Sequence, residues 1–217
     1  MTAEVHEVAE SDEERRAWWL RLAAVLVSPQ PVFAALRDDS DEAAEARQEQ
    51  MLLLVLLAGV AGVLFTSSAG SLLDDPARDG LIVAVWAFLG GGLYGAAVFW
   101  LGGALLYAAL NALGSQGSYR RARHLLALAA APVALSLLLL WPVKIAIYGG
   151  DLFRSGGSDD AAGGTVFAWL GYGVFVWTAV LLVVGIRAVH GWTWPRATVA
   201  AAAAAAIPVL AVLAAQL

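Results

Sequence analysis

The sequence predicts an all-α protein, a polytopic membrane helix bundle of five transmembrane helices. Hydrophobic residues make up 60% of the 217 and charged residues only 14%, and the apolar residues gather in runs of about twenty or more, as membrane spans require. Ten of the thirteen basic residues fall in segments that a single orientation places on one side. Short loops rich in Lys and Arg stay in the cytosol, so this orientation puts the N-terminus inside and the C-terminus outside.

Residues 1–14 are acidic and poor in large apolar residues, which predicts a disordered tail. Neither a basic start nor an early apolar core is present, so no signal peptide is expected. Residues 15–50 form a cytosolic amphipathic and charged helical segment. Within it, Trp18, Leu22, Val25 and Leu26 recur at helical spacing while Arg15, Arg16 and Arg21 are polar, as in a helix lying in the membrane interface. The alternative is an amphipathic helix packed on the protein's own cytosolic face. Pro29 and Pro31 break this helix, and Ser28 is placed to cap a short turn holding Val32, Phe33 and Leu36. Residues 38–50 read as a charged helix start, with Asp39 as N-cap and Glu42 at the capping-box position, continuing into the first span.

The transmembrane domain, 51–217, holds spans at 51–70, 81–113, 124–148, 165–186 and 197–217. Each reaches the roughly 20 residues needed to cross a ~30 Å hydrocarbon core. The second is too long for one perpendicular crossing; it either tilts and projects into the cytosol or breaks at Gly90, Gly91 and Gly92. Splitting it into two spans would leave pieces too short to cross and would send Arg120, Arg121 and Arg123 outside. The outer loops carry only Arg78 and Arg154 among basic residues and are otherwise acidic. Trp18, Trp19, Trp192 and Trp194 are expected at the inner interface, and Trp86, Trp141, Tyr148 and Trp169 near the outer one.

Residues that carry chemistry are few, and no catalytic, cofactor or metal site is predicted. The chain has no cysteine, which excludes thiolate metal sites and a cysteine nucleophile. Lys144 is the only charge inside a span; beside Trp141 and one turn before Tyr148, it snorkels to the outer interface or marks a buried site. His124 and His190 fall at the inner boundary, where an imidazole is easily solvated. With His6 in the tail, the three histidines assemble no three-ligand cluster. Gly91 and Gly95 form a GxxxG that Gly102 continues, permitting close helix approach, either within the chain or between copies. Pro132 and Pro142 each remove a helix hydrogen bond and kink the third span. Arg120, Arg121 and Arg123, crowded into one short loop, are a candidate cytosolic docking patch for anionic lipid or an acidic partner.

Four pieces in order carry a family likeness: SPQPVFAALRDD before the first span, GGGLYGAAVFWLGG in the second, YRRARHLLALAAAPVAL entering the third, and VVGIRAVHGWTWPRATV closing the fourth. Over about Leu22 to Leu217 the chain resembles the bacterial branch of the Yip1 domain family of five-span membrane proteins. Eukaryotic relatives are associated with vesicle trafficking and small GTPases and carry a DLYGP motif ahead of the first span. This chain has RDDSDEAAEARQEQ there, so a GTPase-binding role is not carried over.

The resemblance and the scarcity of polar groups in the spans imply a non-enzymatic scaffold or accessory protein of a bacterial cytoplasmic membrane. Its expected partners are membrane lipid, anionic at the cytosolic face, and a membrane protein or a second copy of the chain. No nucleic-acid partner is expected. A transporter or transporter subunit is the alternative, favoured only by the Gly90 region and Pro132 as helix breaks, without intramembrane carboxylates or a repeat. An intramembrane enzyme is the third reading; DDPARDG resembles acidic phosphotransferase motifs, but no matching acidic pair follows.

Overall fold

Backbone polar groups in a bilayer must be satisfied within the chain, and the computed structural model meets this with helices alone. It describes residues 17–160 and 162–214, with side chains except at 160, 162 and 208–214. The acidic tail, His6, Arg15 and Arg16 lie outside the described residues. The described residues hold α1 (Ala17–Val27), α2 (Pro29–Ala34), α3 (Asp41–Leu64), α4 (Gly80–Ala97), α5 (Gly103–Ala112), α6 (Tyr119–Ala129), α7 (Ala131–Tyr148), α8 (Ala162–His190) and α9 (Trp194–Ala214), and no strand. Four stretches are long and apolar enough to cross a membrane: Asp41–Leu64, Gly80–Ala112, Tyr119–Phe153 and Gly163–His190. Beyond them, α9 is a further helix of 21 residues.

Several boundaries differ from the sequence reading. α3 starts at Asp41 and continues into the first span as expected, but Ser40 rather than Asp39 caps it: the Ser40 hydroxyl accepts from the Ala43 N–H at 3.3 Å. Gly90, Gly91 and Gly92 do not break the second span. α4 runs through them and joins α5 by a π-helical turn at Val98–Gly102, the insertion of an extra residue per turn that lets a long helix shift register without ending. The third span is interrupted at Ala130 (φ −78°, ψ 1°), with Pro132 in the first turn of α7, where its missing N–H has no helical acceptor to serve. α7 continues through Pro142.

The chain divides into two units. Of the described residues, the first comprises 17–53, 101–129 and 181–214. In it α5 packs against α6 and α9, and Trp18, Val25, Phe33, Leu36, Met51, Leu106, Leu125 and Ile186 are buried. α6 approaches α5 so closely that a Cβ on Gly103 would meet Arg123 Cγ at 2.4 Å. The loop between these helices begins with Gly114 at φ +85°. There the Ser115 N–H donates to Leu110 O at 3.0 Å and Gly114 N–H to Asn111 O at 2.9 Å, a Schellman turn that only a residue tolerant of the left-handed region closes cheaply.

The second unit comprises residues 54–100 and 130–180. Its core is Leu64, Leu72, Val83, Ala87, Trp141, Leu152 and Phe153, with Phe65 edge-on to both Trp141 and Phe175 at 5.3 Å. α3 and α4 meet backbone to backbone, since a Cβ on Gly59 would lie 2.2 Å from Gly91 O and 2.7 Å from Gly95 Cα. The loops at 65–79 and 149–160 are tied together: Leu73 N–H donates to Phe153 O at 2.7 Å, and the Asp74 carboxylate accepts from the N–H and hydroxyl of Ser155 at 2.8 and 2.6 Å. Asp79 caps α4 by accepting from Leu81 and Ile82 N–H. Broad apolar faces stay outward on α4 (Leu81, Phe88, Leu93) and α8 (Val166, Trp169, Val176). Trp18 and Trp141, expected at the two interfaces, are both 4% exposed and pack inside their own units.

Candidate functional site

The polar residues of the first unit converge on one carboxylate. Asp39, two residues before α3, lies 3.4 Å from Arg47 Nη2, 3.2 Å from Arg120 Nε and 3.9 Å from Arg121 Nε. Arg120 also pairs with Asp41 at 2.6 Å and donates to the Asp39 carbonyl, and Ser118 donates its hydroxyl to Asp39. Arg121 Nη2 donates to Arg37 O at 2.9 Å. Asp38 turns back, accepting from the Ser40 N–H at 3.1 Å, and that backbone hydrogen bond, followed by the Ser40 side chain, holds its carboxyl below the usual value.

Arg47 is the buried member, with no exposed surface. Its Nε donates to His124 Nδ1 at 3.0 Å and its Nη1 to Asp38 O at 2.9 Å, while Trp18 lies 5.9 Å from the guanidinium carbon. A guanidinium has only donors, so His124 Nδ1 is an acceptor and its ring is neutral, with the proton on Nε2. His124 is therefore a buried partner of Arg47, 6% exposed, and not the solvated ring expected at the boundary. His190 is half-buried against Trp192, 5.0 Å between rings, with Ser115 Oγ 3.4 Å from its Nδ1. Among the described residues no group of three His, Cys, Asp or Glu side chains comes together.

The remaining sequence-predicted residues fall into separate places. Arg123 stacks over Tyr119 at 4.7 Å. Arg120 and Arg121, expected as a docking patch, have much of their donor capacity committed to the turn before α3, with 34% and 22% of their side chains exposed. Lys144 holds its ammonium 4.9 Å from the Trp141 ring centre, half-buried. Gly91 and Gly95 form the α4 contact with α3, whereas Gly102 lies in the π turn and its neighbour Gly103 makes the close approach. Asp39 and Arg47 were missed from the sequence. Arg47 had a readable signal, since Ala44, Arg47, Met51 and Leu54 share one buried helical stripe on which a charge requires an internal partner.

An all-helical chain with four apolar helices of spanning length is an integral membrane protein of the helical class. The Yip1 domain matches residues 23–216, and the chain belongs to that family. No match is found among curated proteins or solved structures.

Proposed function

We propose that the chain is a non-enzymatic scaffold or accessory protein of a bacterial cytoplasmic membrane, with five spans, α9 supplying the fifth, and with the Arg120 loop in the cytosol. The observation that supports this most directly is the contrast between its two kinds of surface. The main cluster of buried polar groups, around Asp39 and Arg47, is engaged inside the chain, while α4 and α8 turn large aromatic and aliphatic side chains outward. Such faces suit lipid and the spans of a partner protein. The interruption at Ala130 and the π turn at Val98–Gly102 favour a transporter subunit as the second reading, because transport sites are commonly built on discontinuous helices.

The topology is tested by single cysteines, which the cysteine-free chain makes straightforward. Ala77→Cys and Ser158→Cys should react with an impermeant thiol reagent in intact cells, and Gln116→Cys and Thr193→Cys should not; labelling of Gln116→Cys overturns the orientation. For the role, purification in mild detergent should recover a membrane-protein partner that Trp169→Ala with Tyr172→Ala releases without changing the melting of the chain. Solute flux in proteoliposomes of the purified chain would instead establish the transporter.

A further inference from the structure

A cleft of about 450 Å³ opens in the first unit between α2 and the C-terminal end of α8, a volume within the roughly 300–1,000 Å³ of small-molecule sites. Its polar wall is Gln30, Arg37 and Arg187, and its apolar wall includes Pro31, Val184 and Trp192. α8 ends at His190 and is followed by Gly191, whose φ of +65° lets its N–H return to Arg187 O at 2.9 Å. The Ala188 carbonyl is left for Arg37, which donates to it through Nε at 2.9 Å and Nη2 at 2.5 Å. This clamp fixes the Arg37 guanidinium while its Nη1 makes none of these bonds. Arg187 is held over the Trp194 ring at 4.7 Å, and its buried Nε has no hydrogen-bond partner. Among the described residues, no carboxylate is ion-paired with either arginine. The cleft therefore presents two positive charges beside an apolar wall.

The same segment shows a second feature. α1 buries Trp18 and Val25 against the protein, yet Leu20 and Val27, on the opposite side of the helix, are 76% and 88% exposed. An outward apolar stripe on a helix that already has a packed face suits insertion at the edge of a bilayer. α2 follows after the single residue Ser28, so the chain leads from this stripe directly to the cleft.

We propose that the cleft binds the phosphate of an anionic phospholipid, with Arg37 and Arg187 gripping the headgroup and Val184 and Pro31 meeting its glycerol and proximal acyl carbons. Guanidinium groups match phosphate oxygens in paired hydrogen bonds. The apolar wall distinguishes a lipid from a free anion. The inference rests on the reading of this face as cytosolic and membrane-apposed, not on the identity of any protein partner.

The test uses the purified full chain in a neutral detergent, with its melting followed as phosphatidylglycerol, phosphatidylcholine or inorganic phosphate is added. A ligand of the native state raises the melting temperature with its concentration. Phosphatidylglycerol should protect and phosphatidylcholine should not. Arg187→Gln should shift the phosphatidylglycerol response to about tenfold higher concentration, read as the shift relative to its own lipid-free melting. Arg154→Gln should respond as wild type. If Arg187→Gln does not fold, Arg187→Lys carries the test, since it keeps the charge and loses the paired geometry. Equal protection by both lipids, or an unshifted response in the Arg187 variant, overturns the proposal. Protection by phosphate alone, lost in that variant, assigns the cleft to a free anion and equally overturns it. The assay is independent of topology and of co-purification, so failure of the scaffold reading leaves its outcome distinct.

Discussion

Replacing Arg47 by Met tests whether the buried ionic cluster stabilises the first unit. The substitution keeps the length of an apolar side chain on the Ala44, Met51, Leu54 stripe but removes the hydrogen bonds to His124 Nδ1 and Asp38 O and the 3.4 Å ion pair with Asp39. Removing one member of a buried ion pair costs about 3–5 kcal/mol, chiefly because the other is left without compensation. Asp39 keeps Arg120 and Arg121, so the lower end, about 3 kcal/mol, applies. For a chain of this size that corresponds to a fall in melting temperature of roughly 6–12 °C, measured in detergent by loss of the monodisperse peak on size exclusion. Arg47→Lys, which retains charge but not the fork, should lie between. A double-mutant cycle with His124→Phe should return a coupling of about 1 kcal/mol or more. The reasoning is refuted if Arg47→Met melts within about 4 °C of wild type, roughly 1 kcal/mol. A rise in melting temperature would show that desolvation of the guanidinium outweighs everything it contacts.

Two further outcomes follow from the second unit. Gly59→Ala should destabilise by about 3 kcal/mol, the upper end of overpacking costs, because its Cβ would fall on backbone atoms of α4 that cannot turn aside; Gly92→Ala, whose Cβ meets only Leu56 Cδ1 at 3.8 Å, should be nearly neutral, and equal melting of the two would disprove the contact. The Asp74 carboxyl is held below its ordinary 3.8 by the Ser155 hydroxyl and then by the Ser155 N–H, so its tie to the second loop is present above that value and is lost as pH falls through the depressed one. Pepsin cleavage at Phe153 should therefore stay slow in wild type at pH 5 and accelerate with further acidification, whereas Asp74→Asn should be cleaved quickly already at pH 5; coincident profiles would show that the carboxylate does not hold the loop.

The sequence made the helical membrane class legible because twenty-residue apolar runs have few other physical solutions. It did not disclose the α4 to α5 π turn, since inserting one residue into a helix leaves no compositional mark at Val98–Gly102. The glycine triplet left two readings open for a definite reason: a glycine within a helix signals either a weak point or a close contact, and Gly91 is a contact against Val60, the close approach its GxxxG allowed. Asp39 misled. A carboxylate before a charged helix is a good cap by local rules, but Ser40 serves the helix and releases Asp39 for arginines about eighty residues away. Pairings at that separation have no local signature. Beside Arg120 and Arg121, which the charge pattern singled out, the charge of Arg47 on an apolar stripe was a trace of the site in the sequence.

The basic segment, expected as a loop, forms the first turns of α6 and connects these levels. On the proposed topology, Arg120 and Arg121 orient the chain by charge, a property Lys would share; in the fold, the same two residues hold the turn before α3 by geometry, through Asp39, Asp41 and the Arg37 carbonyl. A docking function for this turn of α6 would have to compete with those contacts, because a guanidinium committed to Asp39 offers fewer donors to an incoming anion. Arg37 and Arg187 pair with no carboxylate among the described residues, although Arg37 is clamped to the Ala188 carbonyl. On that ground the proposed anion site falls in the α2 to α8 cleft rather than at the start of α6, where Arg120 and Arg121 already answer carboxylates.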